Sequence, residues 1–197
     1  MRNLFIAAAA LAAFPAVAQA QTAATPLDHS GLRVEGIVGY DALTSGEDSD
    51  GVVYGGAVGY DFPAGGVTLG ADAELTDSSI KGTEGSVLVA GDSAQVRLGR
   101  DIYVGGRVGF PLSPQAQIYA KGGYTNARIN TRYTSGTTVL RENVDADGYR
   151  LGAGIEHKIG QRAYLKGEYR YSNYKEIKDF DIDADRHQVV AGVGIRF

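Results

Sequence analysis

The stretch Leu32-Arg33-Val34-Glu35-Gly36-Ile37-Val38-Gly39-Tyr40-Asp41-Ala42 decides how the rest of the chain is read. On an extended backbone Leu32, Val34, Gly36, Val38, Tyr40 and Ala42 share one face, and Arg33, Glu35, Ile37, Gly39 and Asp41 share the other. A period of two is the strand repeat; a helix would scatter the same residues round its circumference. One face is apolar, and the other carries charges of both signs.

The pattern repeats seven times along the chain. Val52 to Phe62, Val67 to Leu75, Val96 to Phe110, Ile118 to Tyr124, Tyr149 to Ile155, Leu165 to Tyr171 and Val189 to Phe197 all alternate in the same way, rich in Tyr, Val and Gly. Arg100 breaks the apolar parity of its run, which marks either a bulge or a side chain reaching back to an interface. Eight strands result, with connections of two kinds. Leu43–Gly51, Asp77–Ala94, Asn130–Asp147 and Lys175–Asp185 are long and polar, whereas Asp61–Gly66, Pro111–Ala116 and Ile159–Arg162 are short and hold Pro or Gly. Within 77–94, Ser86 to Ala90 is a candidate strand extension. Long loops on one rim and tight turns on the other describe an all-β, eight-stranded antiparallel up-and-down transmembrane barrel.

Physical chemistry assigns the faces. In a bilayer every backbone N–H and C=O must be paired, so a sheet survives only by closing on itself. A tilted strand crosses in ~9–11 residues, about the length of each run. A basic side chain facing lipid at the midplane costs about 2–4 kcal/mol. The parity bearing Arg33, Glu35, Asp72, Glu74, Arg97, Arg107, Lys121, Arg150, Glu156, Lys166, Glu168 and Arg170 is therefore the inward one. Eight strands enclose a space that side chains fill, and this mixture of signs predicts an ion-paired plug. Tyr40, Tyr54, Tyr124, Tyr149 and Tyr171 are expected at the loop rim, and Tyr60, Phe62, Phe110, Tyr164 and Phe197 at the turn rim; most point to lipid as two aromatic girdles, whereas Tyr164 has the inward parity.

Export is written at the N-terminus. Residues 1–20, MRNLFIAAAALAAFPAVAQA, combine a basic start at Arg2, an apolar stretch and the small-x-small site Ala18-Gln19-Ala20. That is a cleavable secretory signal of bacterial type. Residues 21–30 then form a short periplasmic tail, and 31–197 the barrel. Composition narrows the chemistry further. Zero Cys excludes disulfides, thiolate metal sites and cysteine nucleophiles. With 19 basic against 23 acidic residues and no basic run, nucleic acid is not an expected partner.

The last strand, His187-Gln188-Val189-Val190-Ala191-Gly192-Val193-Gly194-Ile195-Arg196-Phe197, resembles the C-terminal signature of bacterial outer-membrane proteins. Tyr119-Ala120-Lys121-Gly122-Gly123-Tyr124, Gly148-Tyr149-Arg150-Leu151-Gly152-Ala153-Gly154 and Leu165-Lys166-Gly167-Glu168-Tyr169-Arg170-Tyr171 look like strand motifs of small eight-stranded barrels. The chain thus resembles the OmpA/OmpX-like and opacity-type proteins over 31–197. The resemblance implies the outer membrane as location, Phe197 as a signal read by the barrel-assembly machinery, and a monomer. It also implies contact with outer-membrane lipids, lipopolysaccharide and host or surface ligands through the loops. It specifies the fold better than the activity. No peptidoglycan-binding domain follows Phe197, so the tethering role of full-length OmpA is not implied.

Chemistry is sparse. His29 lies in the tail, His157 near the turn rim and His187 near the loop rim, which argues against a shared metal site. Some small barrels modify lipid A with a His and a Ser on the lipid side, but His187 has no Ser at a matching spacing. Asp181, Asp183 and Asp185 mimic part of a calcium loop without its Gly and bidentate Glu. They read, like Glu47-Asp48-Ser49-Asp50, as a solvated loop tip. No nucleophile–base–orienter set stands out. The expectation is a non-enzymatic barrel without cofactor or metal, structural or surface-interacting; the alternatives are a narrow porin, a lipid-modifying enzyme and a lipocalin-like barrel with an apolar interior.

Overall fold

The computed structural model describes residues 29–45, 47–85, 92–136, 138–177 and 180–197; the signal sequence and residues 21–28 of the tail lie outside them. Among the described residues there are nine strands: β1 (Gly31–Ser45), β2 (Glu47–Ala64), β3 (Val67–Ser78), β4 (Lys81–Gly85), β5 (Ser93–Pro111), β6 (Ala116–Ser135), β7 (Thr138–Lys158), β8 (Ala163–Ile177) and β9 (Phe180–Arg196). All pairings are antiparallel. β1 pairs with both β2 and β9, and β3 pairs with both β2 and β5, so the ring closes on eight strands and no edge is left to lipid.

The strand additional to the eight, β4, continues the third barrel strand, β3. β3 runs against β5 as far as Thr76↔Asp101, and β4 resumes the same partner at Lys81↔Arg97. Backbone bonds span the interruption: the Leu98 N–H donates to the Ile80 carbonyl at 3.2 Å, and the Ser79 N–H to that of Val52 at 2.9 Å. Among the described residues of 77–94 the strand segments are thus the end of β3, Lys81–Gly85 and the start of β5, and the candidate extension Ser86 to Ala90 lies outside the described residues.

Short turns occupy the rim where the described chain starts and ends. Ala64 pairs with Val67 across Gly65 and Gly66, whose φ values are 61° and 96°. Two consecutive positive φ angles match the twist of a two-residue hairpin and suit glycine. In the next turn the Ser113 hydroxyl accepts the Gln115 and Ala116 N–H groups at 3.2 and 3.0 Å.

The opposite rim differs from expectation. The sequence predicts loops over Leu43–Gly51, Asn130–Asp147 and Lys175–Asp185, whereas the strand pairing continues to Ser45↔Glu47, Ser135↔Thr138 and Ile177↔Phe180. Loss of apolar residues marks where a strand leaves the lipid, not where it ends. β6 and β7 are 20 and 21 residues long, about twice what a bilayer crossing needs. Beyond the facing pair Tyr124↔Tyr149 the outward positions are polar as far as Arg132↔Arg141, Val139 being the next on β7, and the hairpin projects.

Burial is inverted relative to a soluble protein. Outward residues such as Val34, Val58, Leu75, Val104, Leu151 and Val193 are exposed, while charged residues fill the interior. This excludes the lipocalin-like arrangement. Tyr40, Tyr54, Tyr60, Phe62, Phe110, Tyr124, Tyr149 and Phe197 are exposed as girdle residues should be, and Tyr171 is half-buried. Tyr164 is not a girdle residue: its ring points into the barrel and is buried.

Candidate functional site

The lumen is the most elaborated part of the molecule. Eleven of the twelve predicted interior charges are buried there: Arg33, Glu35, Asp72, Glu74, Arg107, Lys121, Arg150, Glu156, Lys166, Glu168 and Arg170. Asp41, Asp61, Asp101, Arg186 and Arg196 join them, also buried. These sixteen are eight basic and eight acidic side chains, neutral as a set. Parity held the signal for these five, since each shares the inward face of its strand.

Arg97 is the exception. Its side chain is 46% exposed and its nearest acidic partner is Asp77, 3.9 Å away on the outside. The cause is a bulge: β5 pairs Leu98 with Ile129 but Asp101 with Ala127, so one extra residue sits at Gly99–Arg100. One inserted residue exchanges the faces of everything beyond it. Leu98 accordingly turns inward and is buried, and Arg97 turns outward. The parity break at Arg100 was its trace.

The pairs form one connected network. At the turn rim, Asp61 receives Arg33 at 2.7 Å and Arg196 at 2.9 Å, and Glu156 receives Arg107 at 2.6 Å and Arg196 at 2.9 Å. Arg33 also pairs with Asp72 and, at 2.7 Å, with Glu35. Glu35 accepts from Lys166, which leads to the middle of the barrel. There Lys121 meets Glu74 at 2.5 Å and Glu168 at 2.8 Å, while Arg170 pairs with Glu168 and reaches Glu74 at 3.1 Å. Arg150 lies 3.6 Å from Glu74 and 2.5 Å from Asp101, and Arg186 joins Asp101 at 2.5 Å to Asp41 at 2.6 Å. Unpaired charges in such a place would be very costly.

Tyrosines fill the gaps between the charges. The Tyr164 hydroxyl donates to Glu35 at 2.6 Å, Tyr119 to Glu168 at 2.5 Å and Tyr174 to Asp101 at 2.9 Å. The Arg107 guanidinium stacks 3.8 Å from the Tyr119 ring centroid, a favourable arrangement for a desolvated cation. These rings need room. A Cβ at Gly194 would stand 2.4 Å from the Tyr164 Cζ, and one at Gly154 2.7 Å from the Tyr119 hydroxyl. Glycines on the inward parity are seats for inward tyrosines.

The histidines do not converge. His29 is buried at the turn-rim mouth, its Nε2 3.4 Å from the Ser113 carbonyl. Burial and the Lys158 charge lower its pKa below the ordinary 6.5. His157 is exposed. His187 stands on the outer face, its Nδ1 2.7 Å from the Tyr169 hydroxyl and its ring 5.3 Å from that of Tyr171. Among the described residues no cluster of His, Asp and Glu has metal-binding geometry. Asp185 accepts instead from Tyr171 at 2.7 Å and Asn173 at 3.0 Å; the side chains of Glu47, Asp48, Asp181 and Asp183 lie outside the described set.

A closed ring of eight strands, apolar outside and charged inside, agrees with what sequence comparison finds. The family model for the outer membrane protein beta-barrel domain matches residues 6–197. The chain belongs to that family. Relatives include a 22 kDa outer membrane protein of Rhizobium leguminosarum, 26% identical over 85% of this chain and 77% of that one. A 31 kDa outer-membrane immunogenic protein of Brucella melitensis is 26% identical over 75% and 67%. Among solved structures, Neisserial surface protein A superposes with a TM-score of 0.59 at 13% identity, over 85% of this chain and 98% of that one. The attachment invasion locus protein of Yersinia pestis gives 0.54 at 16% identity, over 85% and 99%. The protein is an outer-membrane barrel, and its location follows from its family.

Proposed function

We propose that this family member is a non-conducting, non-enzymatic monomeric barrel that acts through its exterior, supporting the envelope and meeting surface ligands with its projecting strands. The carrying observation is that side chains from opposite walls touch at two heights. In the ring β1-β2-β3-β5-β6-β7-β8-β9, β8 lies four strands from β3 and β9 four from β5. Arg170 on β8 reaches Glu74 on β3 at 3.1 Å, and Arg186 on β9 reaches Asp101 on β5 at 2.5 Å. A solute path along the axis would have to part buried ion pairs at both levels, and separating one such pair costs several kcal/mol.

The outer surface supports the rest of the reading. The β6–β7 hairpin extends well past Tyr124 and Tyr149 and carries polar residues on its outward face. The Brucella relative is named for its immunogenicity, in keeping with surface-exposed strands. The barrel-assembly machinery would engage β9 and Phe197, whose ring is exposed and whose N–H donates to the Leu32 carbonyl at 2.9 Å. His187 is paired with a phenol, an arrangement with no nucleophile–base–orienter set. Liposomes loaded with a small sugar and carrying the folded chain are expected to retain it as protein-free liposomes do. Release proportional to inserted protein would assign a pore instead.

A further inference from the structure

Three strands assemble a basic face that the sequence keeps apart. Arg132 on β6 stands directly opposite Arg141 on β7, with Gln95 on its other side. One row nearer the membrane, Arg97 faces Asn130, and Asn130 faces Asn143. The bulge at Gly99–Arg100 brings Arg97 to this side. These six residues line a cleft of about 270 Å³. All three arginines are exposed, and among the described residues neither Arg132 nor Arg141 forms a salt bridge. In the row below, Arg128 holds Asp145 at 2.8 Å, with Arg100 3.7 Å away. The absence of a basic run in the sequence thus concealed a basic surface.

Two features give the face a ligand. Like charges placed directly opposite destabilise a sheet, so Arg132↔Arg141 is a standing cost that an anion between them removes. The face also continues the outward column of Tyr124 and Tyr149, two residues at a time, through Arg128 and Asn130 to Arg132. The rows of the face, six and eight residues beyond Tyr124, lie roughly 20–26 Å along the strand at ~3.3 Å per residue, or about 15–20 Å above the aromatic rim for a strand tilted ~40°. That height clears a phospholipid headgroup layer of ~5–8 Å and falls among the phosphorylated sugars of a lipopolysaccharide leaflet. Guanidinium groups bind phosphate in bidentate fashion, and the flanking amides of Gln95, Asn130 and Asn143 suit sugar hydroxyls.

We infer that this β5–β6–β7 face binds the phosphorylated sugar headgroup of outer-leaflet lipopolysaccharide. The inference rests on the projecting strands lying outside the cell but not on the lumen being closed. A chain without cysteine allows the orientation to be tested separately, by labelling Ser135→Cys on intact cells with a membrane-impermeant maleimide. Labelling is expected; labelling only after permeabilisation would overturn the inference.

Binding is measured on the full folded barrel in detergent with purified lipopolysaccharide, the same material after enzymatic dephosphorylation, inorganic pyrophosphate and heparin as probes. Near a membrane surface each arginine contributes a factor of about 5, so Arg132→Gln/Arg141→Gln should bind intact lipopolysaccharide about 25-fold more weakly. Dephosphorylation should remove the difference between wild type and variant, pyrophosphate alone should compete poorly, and Arg162→Gln at the opposite rim should bind normally. Each chain is checked for folding by heat-dependent gel mobility. Equal affinity of wild type and double variant for lipopolysaccharide would overturn the inference. So would loss of heparin binding alone, which would assign the face to a soluble sulfated polymer, or full competition by pyrophosphate, which would assign it to free phosphate.

Discussion

Arg186 on β9 and Asp101 on β5 stand on opposite walls of the barrel, and their side chains meet at 2.5 Å. Asp101 also receives Arg150 at 2.5 Å, Thr125 at 2.7 Å and Tyr174 at 2.9 Å, so one carboxylate ties together β5, β6, β7, β8 and β9. The connection holds the cross-section shut as well as round.

Asp101→Ala takes a 2.5 Å partner from each of two buried guanidinium groups, leaving Arg186 with Asp41 and Arg150 with Glu74 at 3.6 Å. Breaking a buried pair from one side costs about 3–5 kcal/mol, and the urea midpoint for loss of the heat-modifiable band should fall accordingly. Replacing both partners, as Asp101→Leu with Arg186→Met, should cost less than the sum of the single changes. A loss below about 1 kcal/mol for Asp101→Ala would contradict the role assigned to it.

Tyr164 and Gly194 are fitted to each other, with 2.4 Å between the ring Cζ and the place a Cβ would occupy. Gly194→Ala should therefore displace the ring from Glu35 and destabilise the barrel by about 1–3 kcal/mol. The same urea assay reads it. In the Tyr164→Ala background the added methyl should cost much less; an unchanged cost would show that the ring is not what the methyl meets.

The buried His29 makes docking of the N-terminal segment pH-dependent. Its pKa is lowered by burial first, then by Lys158 and Arg196, against opposing contributions from Ser113 and Glu156. A histidine with a depressed folded-state value takes up its proton first in the undocked state, so docking is strongest above pH 6.5 and weakens as the pH falls below it. Amide exchange at Ser30 and Gly31 should be slower at about pH 7.5 than at about pH 5.5 after correction for intrinsic rates. Equal protection at both would contradict it.

Phe197 is expected to matter to assembly more than to stability, because its ring is exposed. Phe197→Ser should lower the amount of barrel in the outer membrane of cells while leaving refolding into detergent nearly unchanged. Unchanged outer-membrane levels would remove the assembly role.

What the sequence disclosed, and what it hid, follows from the range of the physics involved. Period-two alternation is local, so the inward parity of Arg33, Glu35, Lys166 and Glu168 was readable one strand at a time. A bulge is a one-residue event with no strong composition, and it sent Arg97 to the other face with only the discord at Arg100 to mark it. Polarity in 130–147 reads as loop in the sequence, whereas Asn130, Arg132, Arg141 and Asn143 leave the lipid without leaving the sheet. Which charge meets which across the lumen depends on register and closure, so Arg186 and Asp101, 85 residues apart, could not be paired from the sequence.

The central claim is that buried ion pairs close the barrel. Single-channel recording of the refolded chain, residues 21–197, in planar bilayers tests it most directly, with insertion verified on the same preparation by heat-dependent mobility. A silent membrane is the predicted result, with current steps emerging only in variants such as Asp101→Ala combined with Glu74→Ala that clear both crossing levels. Stable, reproducible steps from the unaltered chain would contradict the account.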